Sequence, residues 1–388
     1  MITIKDNSLC CGCMACVQVC PKQCIQIYED REGFLYPKAD KAQCNDCGRC
    51  ESVCPELQQN AGRIPLEVYA AFNPDEEIRR QSSSGGIFTL LAESVIDEGG
   101  VVFGARFDEY WEVMHDYTET KEGLAAFRGS KYMQSRTGNA YLQARQFLQA
   151  GRKVLFTGTP CQIAGLKGFL KKEYENLLAV DFVCHGVPSP KIWRMYLDET
   201  VGLSGKRQIS TIKDICFRHK KSGWKRYSLV ITTSQTMTAG GENPALVSEV
   251  FTENPFMKAF LGDLILRPSC YRCPSKAGKS GSDMTIGDFW GIEKINPGFD
   301  DDKGCSLVML NNEKGVELFR SLQTVCQRMT YSQALAGNPS ISHSVSLTKY
   351  RDFFFRRCDK KQSVICAIDD RYSMRLRKRV LRFLQTIG

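Results

Sequence analysis

Between residues 68 and 310, short apolar runs alternate with stretches whose apolar positions fall three and four apart, as expected for strands and helices taken in turn. Val68-Tyr69-Ala70-Ala71-Phe72 reads as a strand. Ser82-Ser83-Ser84-Gly85-Gly86 then caps a helix with Ile87, Leu90, Leu91 and Val95 on one face. Gly99-Gly100 ends that helix, and Val101-Val102-Phe103-Gly104 opens another strand. A helix over 137–150 precedes a strand at 153–157. The turn Gly158-Thr159-Pro160-Cys161 leads into a helix over 163–171 and a strand at 178–183, which ends at Cys184-His185-Gly186. A further helix follows Pro190. Residues 212–218 and 227–233 alternate as paired antiparallel strands around Ser222-Gly223. The last strand, 306–310, precedes one more helix. The first 60 residues differ: two dense cysteine groups flank an insert with short strands at 25–28 and 34–36, and polar residues 58–65 form a linker. The expected class is α+β: a cysteine-rich module at 1–60, an α/β body at 66–340 in two parts (66–150 and 151–340), and a tail at 341–388.

Charge and hydropathy narrow the function. Net charge is +9, but Arg371, Arg375, Arg377, Lys378, Arg379 and Arg382 in the acid-free stretch 371–388 supply six of it, leaving the rest at +3. A nucleic-acid-binding body is not indicated by that distribution. Leu376, Val380, Phe383, Leu384 and Ile387 share one face of the same stretch, a basic amphipathic helix. Such a helix either rests on an anionic membrane surface or, the plainer reading, packs on its own domain or a partner. No apolar run approaches the roughly 20 residues of a spanning helix. Met1-Ile2-Thr3-Ile4-Lys5-Asp6 leads straight to cysteines without a signal-peptide pattern, so a cytoplasmic location is expected.

The 19 cysteines change the picture most. Their odd count and two-residue spacings oppose a disulfide framework and favour metal ligation in a reducing compartment. Cys10, Cys13, Cys16 and Cys20 precede Pro21, and Cys44, Cys47, Cys50 and Cys54 precede Pro55 with identical spacing. That repeat is the bacterial ferredoxin pattern, in which the fourth cysteine of each run ligates the other run's cluster. Two 4Fe–4S clusters are expected, one on Cys10, Cys13, Cys16 and Cys54, the other on Cys44, Cys47, Cys50 and Cys20. The alternative of two structural zinc sites fits poorly, since zinc ribbons use paired CxxC units. Cys11 and Cys24 fall outside the repeat. Cys161 and Cys184 each follow a predicted strand, with a helix between, so a βαβ unit would bring both to one sheet edge. With Cys270 and Cys273 they form a candidate third cluster site; the alternative is buried core cysteine.

Three further segments are ordinary in isolation. Ser82-Ser83-Ser84-Gly85-Gly86 suits a phosphate or a plain helix cap. Arg128-Gly129-Ser130-Lys131-Tyr132 sets a cation and an aromatic on a glycine turn, and Thr157-Gly158-Thr159-Pro160-Cys161-Gln162 is a strand-to-helix turn. The glycine-rich dinucleotide fingerprint and the P-loop are both absent from the sequence. Together with Cys184-His185-Gly186, Cys270-x2-Cys273 and Asp283-x-Thr285-x-Gly287-Asp288-Phe289-Trp290-Gly291, these segments resemble the beta subunit of coenzyme F420-reducing hydrogenases and dehydrogenases. The likeness runs from about 68 to 310, behind the ferredoxin module.

The resemblance implies an α/β flavin-binding domain and a flavoprotein oxidoreductase with FAD and iron–sulfur clusters. Carried over by motif, the FAD site includes Ser84, Gly85, Gly86, Lys131, Gly158, Thr159 and Pro160. Lys131 would stabilise negative charge on reduced flavin, and Cys161, Cys184, Cys270 and Cys273 would hold the extra cluster. Catalytic candidates are Lys131 and His185; for His185 the competing reading is a hydrogen-bonded structural histidine. Electrons would pass between the one-electron clusters and a flavin serving a two-electron substrate. The partner is then a redox protein or a small-molecule donor or acceptor. The alternative is a non-catalytic electron-transfer subunit of a larger complex.

Overall fold

The computed structural model describes residues 1–201, 212–234, 245–360 and 363–368. The basic amphipathic stretch expected in the tail lies outside the described residues. An N-terminal hairpin pairs β1 (Ile25–Glu29) with β2 (Leu35–Ala39). Then come β3 (Glu67–Phe72), β4 (Val101–Phe107), β5 (Val113–Thr118), β6 (Val154–Gly158) and β7 (Leu177–Phe182). A small antiparallel sheet follows, with β8 (Ile212–His219), β9 (Ser228–Thr233) and β10 (Ala245–Val250) in the order β10-β9-β8. The chain returns to the main sheet with β11 (Met284–Asp288), β12 (Ser306–Leu310) and β13 (Val325–Met329).

The main sheet has eight strands in the order β13-β3-β12-β11-β7-β6-β4-β5. Its centre, β11-β7-β6-β4, is parallel, and the flanking pairs are antiparallel. Val154, Leu155 and Phe156 of β6 and Leu177, Leu178, Ala179 and Val180 of β7 are all buried, the continuous apolar run of a strand covered on both faces. Helices Ile87–Asp97 and Glu313–Ser321 supply apolar residues to one layer of packing, and Ala140–Gln149 and Pro160–Leu170 to another.

Four differences from the sequence expectations have physical causes. The helix Ile87–Asp97 begins at Gly86, at φ 85°, with no side-chain cap. The serines turn inward instead: Ser82 Oγ donates to Ile78 O at 2.7 Å, Ser84 Oγ to Cys305 O at 2.8 Å, and Ser306 Oγ accepts from Gly85 N at 2.9 Å. The helix Pro160–Leu170 starts earlier than expected, because Thr159 and Gln162 form a capping box and Pro160 suits the first turn. Strands β5, β10, β11 and β13 were not expected; β11 carries Thr285, Gly287 and Asp288, which obscure its strand character, and β13 is an edge strand with mostly exposed residues. Consequently 306–310 is not the last strand.

The N-terminal module is seated directly on this body. An added Cβ on Gly165 would lie 2.9 Å from Cys13 Sγ, and one on Gly168 2.8 Å from Val53 O, so two glycines of Pro160–Leu170 admit the module. The tip of the hairpin is held from the other side. Glu32 is buried in an ion pair with Arg351, whose Nη1 donates to Glu32 Oε1 at 3.0 Å, and Lys191 Nζ donates to Arg31 O at 2.6 Å. The linker is anchored too, with Asn60 Nδ2 donating to Lys279 O and Arg63 N to Ala277 O, both at 3.0 Å. No helix among the described residues is long and apolar enough to cross a membrane.

Candidate redox site

Each cysteine loop needs backbone conformations that curl it inward. In Cys10-Cys11-Gly12-Cys13-Met14-Ala15-Cys16, the residues on either side of the central cysteine have positive φ, Gly12 at 71° and Met14 at 60°. In the second loop the same two places hold Asp46 at 50° and Gly48 at 71°. Matching left-handed positions make both loops close around a common interior. The structure gathers Cys10, Cys13, Cys16 and Cys54 within mutual electrostatic reach. Cys20, Cys44, Cys47 and Cys50 together line one small hollow beneath Met1. Burial raises the Cys16 and Cys54 thiols of the first group, so these two favour the protonated form until a cation replaces the proton. The donor chemistry, four thiols in each group, suits a cubane in each place.

The two extra cysteines sit beside these groups. Cys24 Sγ lies 3.5 Å from Cys20 Sγ. Cys11 is in hydrogen-bond contact with both Cys13 and Cys161, and so links the module to the body.

Parallel pairing of β6 with β7, joined by Pro160–Leu170, puts Cys161 and Cys184 at the same sheet edge, as the sequence pattern required. A 3-10 turn, Pro268–Arg272, carries Cys270 to that edge, and Cys273 follows it. Cys184, Cys270 and Cys273 each feel Cys161, and burial pushes all three up to about 12. Val187 N donates to Cys270 Sγ at 3.4 Å, and Lys276 Nζ donates to Cys184 O and, at 2.6 Å, to Ser340 O. The four thiols lie within electrostatic reach of one another; Cys216, Cys305, Cys326, Cys358 and Cys366 are not part of this group.

Beside this edge lies a cavity of about 700 Å³, large enough for a cofactor-sized ligand. Ser84, Gly86, Lys131, Gly158, Thr159 and His185 line it, as does Cys184. Two residues expected there are elsewhere. Gly85 packs against Ala71 O and Ser306, behind the wall, and Pro160 faces a smaller hollow with Cys184 and Lys276. Lys131 Nζ donates to Arg128 O and Gly129 O, both at 3.1 Å, and burial lowers its pKa to about 7. His185 Nε2 bonds Asp263 Oδ1 at 2.7 Å and its ring meets Phe260 edge-on at 5.3 Å.

Three residues of the cavity wall escaped the sequence reading as site residues. Arg218, from β8, is buried; it pairs with Asp288 through two bonds of 2.8 and 3.1 Å and lies 3.9 Å over Tyr227. Asp288 also accepts from Trp224 Nε1 at 2.9 Å, and the sequence motif that contains it gave it no role. His115, from β5, donates from Nε2 to Thr157 O at 3.0 Å, so its Nδ1 accepts from Ser135 Oγ at 2.9 Å. Gln162 Nε2 donates to Ser135 Oγ at 2.8 Å, and Gln162 Oε1 accepts from Thr159 N at 2.9 Å, completing a chain beneath the cavity floor. Burial lowers the His115 pKa to about 4, so the ring is neutral. No local sequence signal marks Arg218 or His115; strand pairing alone brings them here.

Three family profiles match the chain. The profile described as "4Fe-4S dicluster domain" matches residues 9–57. The profile for the N-terminal part of the coenzyme F420 hydrogenase/dehydrogenase beta subunit matches 68–141, and the profile for its C-terminal part matches 151–330. The F subunit of the F420H2 dehydrogenase of Methanosarcina mazei is 24% identical over 169 residues, 41% of this chain and 48% of that protein. Coenzyme F420-dependent sulfite reductase of Methanocaldococcus jannaschii is 28% identical over 229 residues, 56% of this chain and 34% of that protein. The chain thus spans half or less of the length of these two relatives. Among solved structures, a chain of the F420-reducing nickel–iron hydrogenase complex from Methanosarcina barkeri matches with a TM-score of 0.46 and 16% identity, covering 71% of this chain and 90% of that one. The chain belongs to the family of coenzyme F420 hydrogenase/dehydrogenase beta subunits and is an iron–sulfur redox protein with an N-terminal 4Fe–4S dicluster domain.

Proposed function

We propose that the chain is an iron–sulfur flavoprotein oxidoreductase, with FAD in the 700 Å³ cavity and three 4Fe–4S clusters leading to it. The observation that carries this reading is Cys184, which belongs to the third thiol group and also lines the cavity. Cluster ligands in the module would be Cys10, Cys13, Cys16 and Cys54, and Cys20, Cys44, Cys47 and Cys50, as the two gathered groups favour. Cys161, Cys184, Cys270 and Cys273 would hold the third. Bound FAD would supply the change from single electrons to electron pairs.

The chain's own residues have definable tasks. Lys131 places a cation with no carboxylate partner, among the described residues, at the cavity wall, where it favours an anionic ligand. Ser84 and the Gly158-Thr159 turn shape further parts of the wall. His185 is oriented by Asp263, so it can hold or give a proton at its ring while Asp263 fixes its position. His115, neutral and donating to Thr157 O, fixes the floor of the cavity without carrying charge. The Arg218–Asp288 pair braces the aromatic end beside Tyr132 and Tyr227. Among the described residues, Cys11 is the thiol that touches both the first module group and Cys161, giving a short covalent and hydrogen-bonded path inward.

A non-catalytic electron-transfer role has one specific observation in its favour, the match to a protein named as part of a dehydrogenase. Anoxic purification with iron, sulfide and flavin assays tests the main reading. About twelve irons per chain, with releasable FAD, is the expected result; about eight irons without flavin would overturn it. Turnover of a small-molecule acceptor by the isolated chain distinguishes enzyme from relay.

A further inference from the structure

Arg267 is fully buried and forms no ion pair within 4 Å among the described residues, although the half-buried Glu56 carboxyl lies within its electrostatic reach. Its fork is spent on the first cysteine loop. Nε donates to Cys10 O at 2.8 Å, and Nη2 reaches Cys10 Sγ at 3.6 Å and Leu35 O at 3.0 Å. Nη1 donates to Gln134 Oε1 at 2.7 Å, and Gln134 Nε2 in turn donates to Cys11 O at 3.1 Å. The guanidinium lies 4.2 Å from the Tyr36 ring centroid. An added Cβ on Gly12 would come within 2.7 Å of Arg267 Nη1, so the loop has bare backbone where it meets the cation. On its other side, Arg267 O accepts from Cys270 N at 2.9 Å, at the start of the turn that presents Cys270.

A buried guanidinium without an anion is strongly disfavoured. The anionic thiolate group of the first loop is the natural counter-charge. Burial alone disfavours the extra negative charge of a reduced cluster, so this buried site would hold electrons less readily than the partly exposed one at Cys44 and Cys47. A fixed cation at Cys10 acts in the opposite direction.

We propose that Arg267 is a positioning residue whose charge raises the reduction potential of the inner cluster, so that an electron arriving from the outer cluster does not step uphill. This rests on the cluster assignment given above. The test is an EPR-monitored redox titration, with iron and sulfide assays, of anoxically purified full-length wild type, Arg267→Gln, Arg267→Met and Arg267→Lys. The expected result is full iron in all four proteins. The inner cluster's signal should move furthest to more negative potential in both neutral variants, with a smaller shift of the third group's signal because Cys270 also feels Arg267, and Arg267→Lys should stay near the wild type. Signals that stay put in the neutral variants, or that all shift together, overturn the proposal. If the neutral variants lose iron, Arg267→Lys decides: retained iron at the wild-type potential supports a role for charge, and loss there too overturns it. Wild type without clusters would instead remove the cysteine assignment beneath.

Discussion

Lys131 sits near the middle of its titration at neutral pH, because burial lowers it to about 7 and its hydrogen bonds go to neutral carbonyls. It is cationic below that pH and neutral above it. Affinity for an anionic ligand in the cavity should therefore fall as pH rises through about 7, by at most about tenfold per unit. Fluorescence titration of FAD at several pH values checks this, and Lys131→Met should bind more weakly at low pH and lose the dependence. His115 gives a second prediction. Its folded pKa of about 4 lies below the ordinary 6.5, so the unfolded chain binds the extra proton first as pH falls. Stability should drop across that window by about 3 kcal/mol, a share that His115→Asn should not show in urea unfolding at matched pH. The sequence made Lys131 legible, since a cation on a glycine turn is a local feature. Arg218 and His115 were not, because only the pairing of β8 with β9 and β4 with β5 carries them to the cavity.

Among elements, the helix Pro160–Leu170 does three things at once. Its first turn presents Cys161, its capping box joins the His115 chain, and its glycines admit the N-terminal module. Gly165→Val should destabilise the protein by about 1–3 kcal/mol through overpacking against Cys13, visible as a lower denaturation midpoint and loss of iron from the inner group first. The parallel strands around this helix were readable because strands buried on both faces are unbroken apolar runs. By contrast, β11 sits in the middle of the sheet with Thr285 bonded to buried Asp181 at 2.5 Å. Polar residues satisfied by neighbours hide such a strand from hydropathy. The serines of 82–84 misled for a related reason: residue types that cap helices also serve as donors between strand ends, and only the fold decides which.

At the scale of the whole molecule, module and body are joined by buried charge as well as by apolar packing. Removing one partner of the Glu32–Arg351 pair leaves the other buried and alone, so Glu32→Ala should cost about 3–5 kcal/mol in chemical unfolding. The cysteine repeat revealed the module itself, but nothing in it announced where the hairpin would dock. One consequence follows from how unequally the two cysteine groups are covered. Cys10, Cys13 and Cys16 are buried and Cys54 is partly exposed, while Cys47 is exposed and Cys44 partly so. Manufacture and ageing then run in opposite orders. On the proposed ligand assignment the inner cubane would be installed early and, once lost, refilled slowly, since of its four ligands only Cys54 is partly exposed. The outer one is the first casualty of air or chelators and the easier to repair, so timed exposure to a chelator should bleach the protein in two stages, with only the earlier stage readily reversed by iron and sulfide.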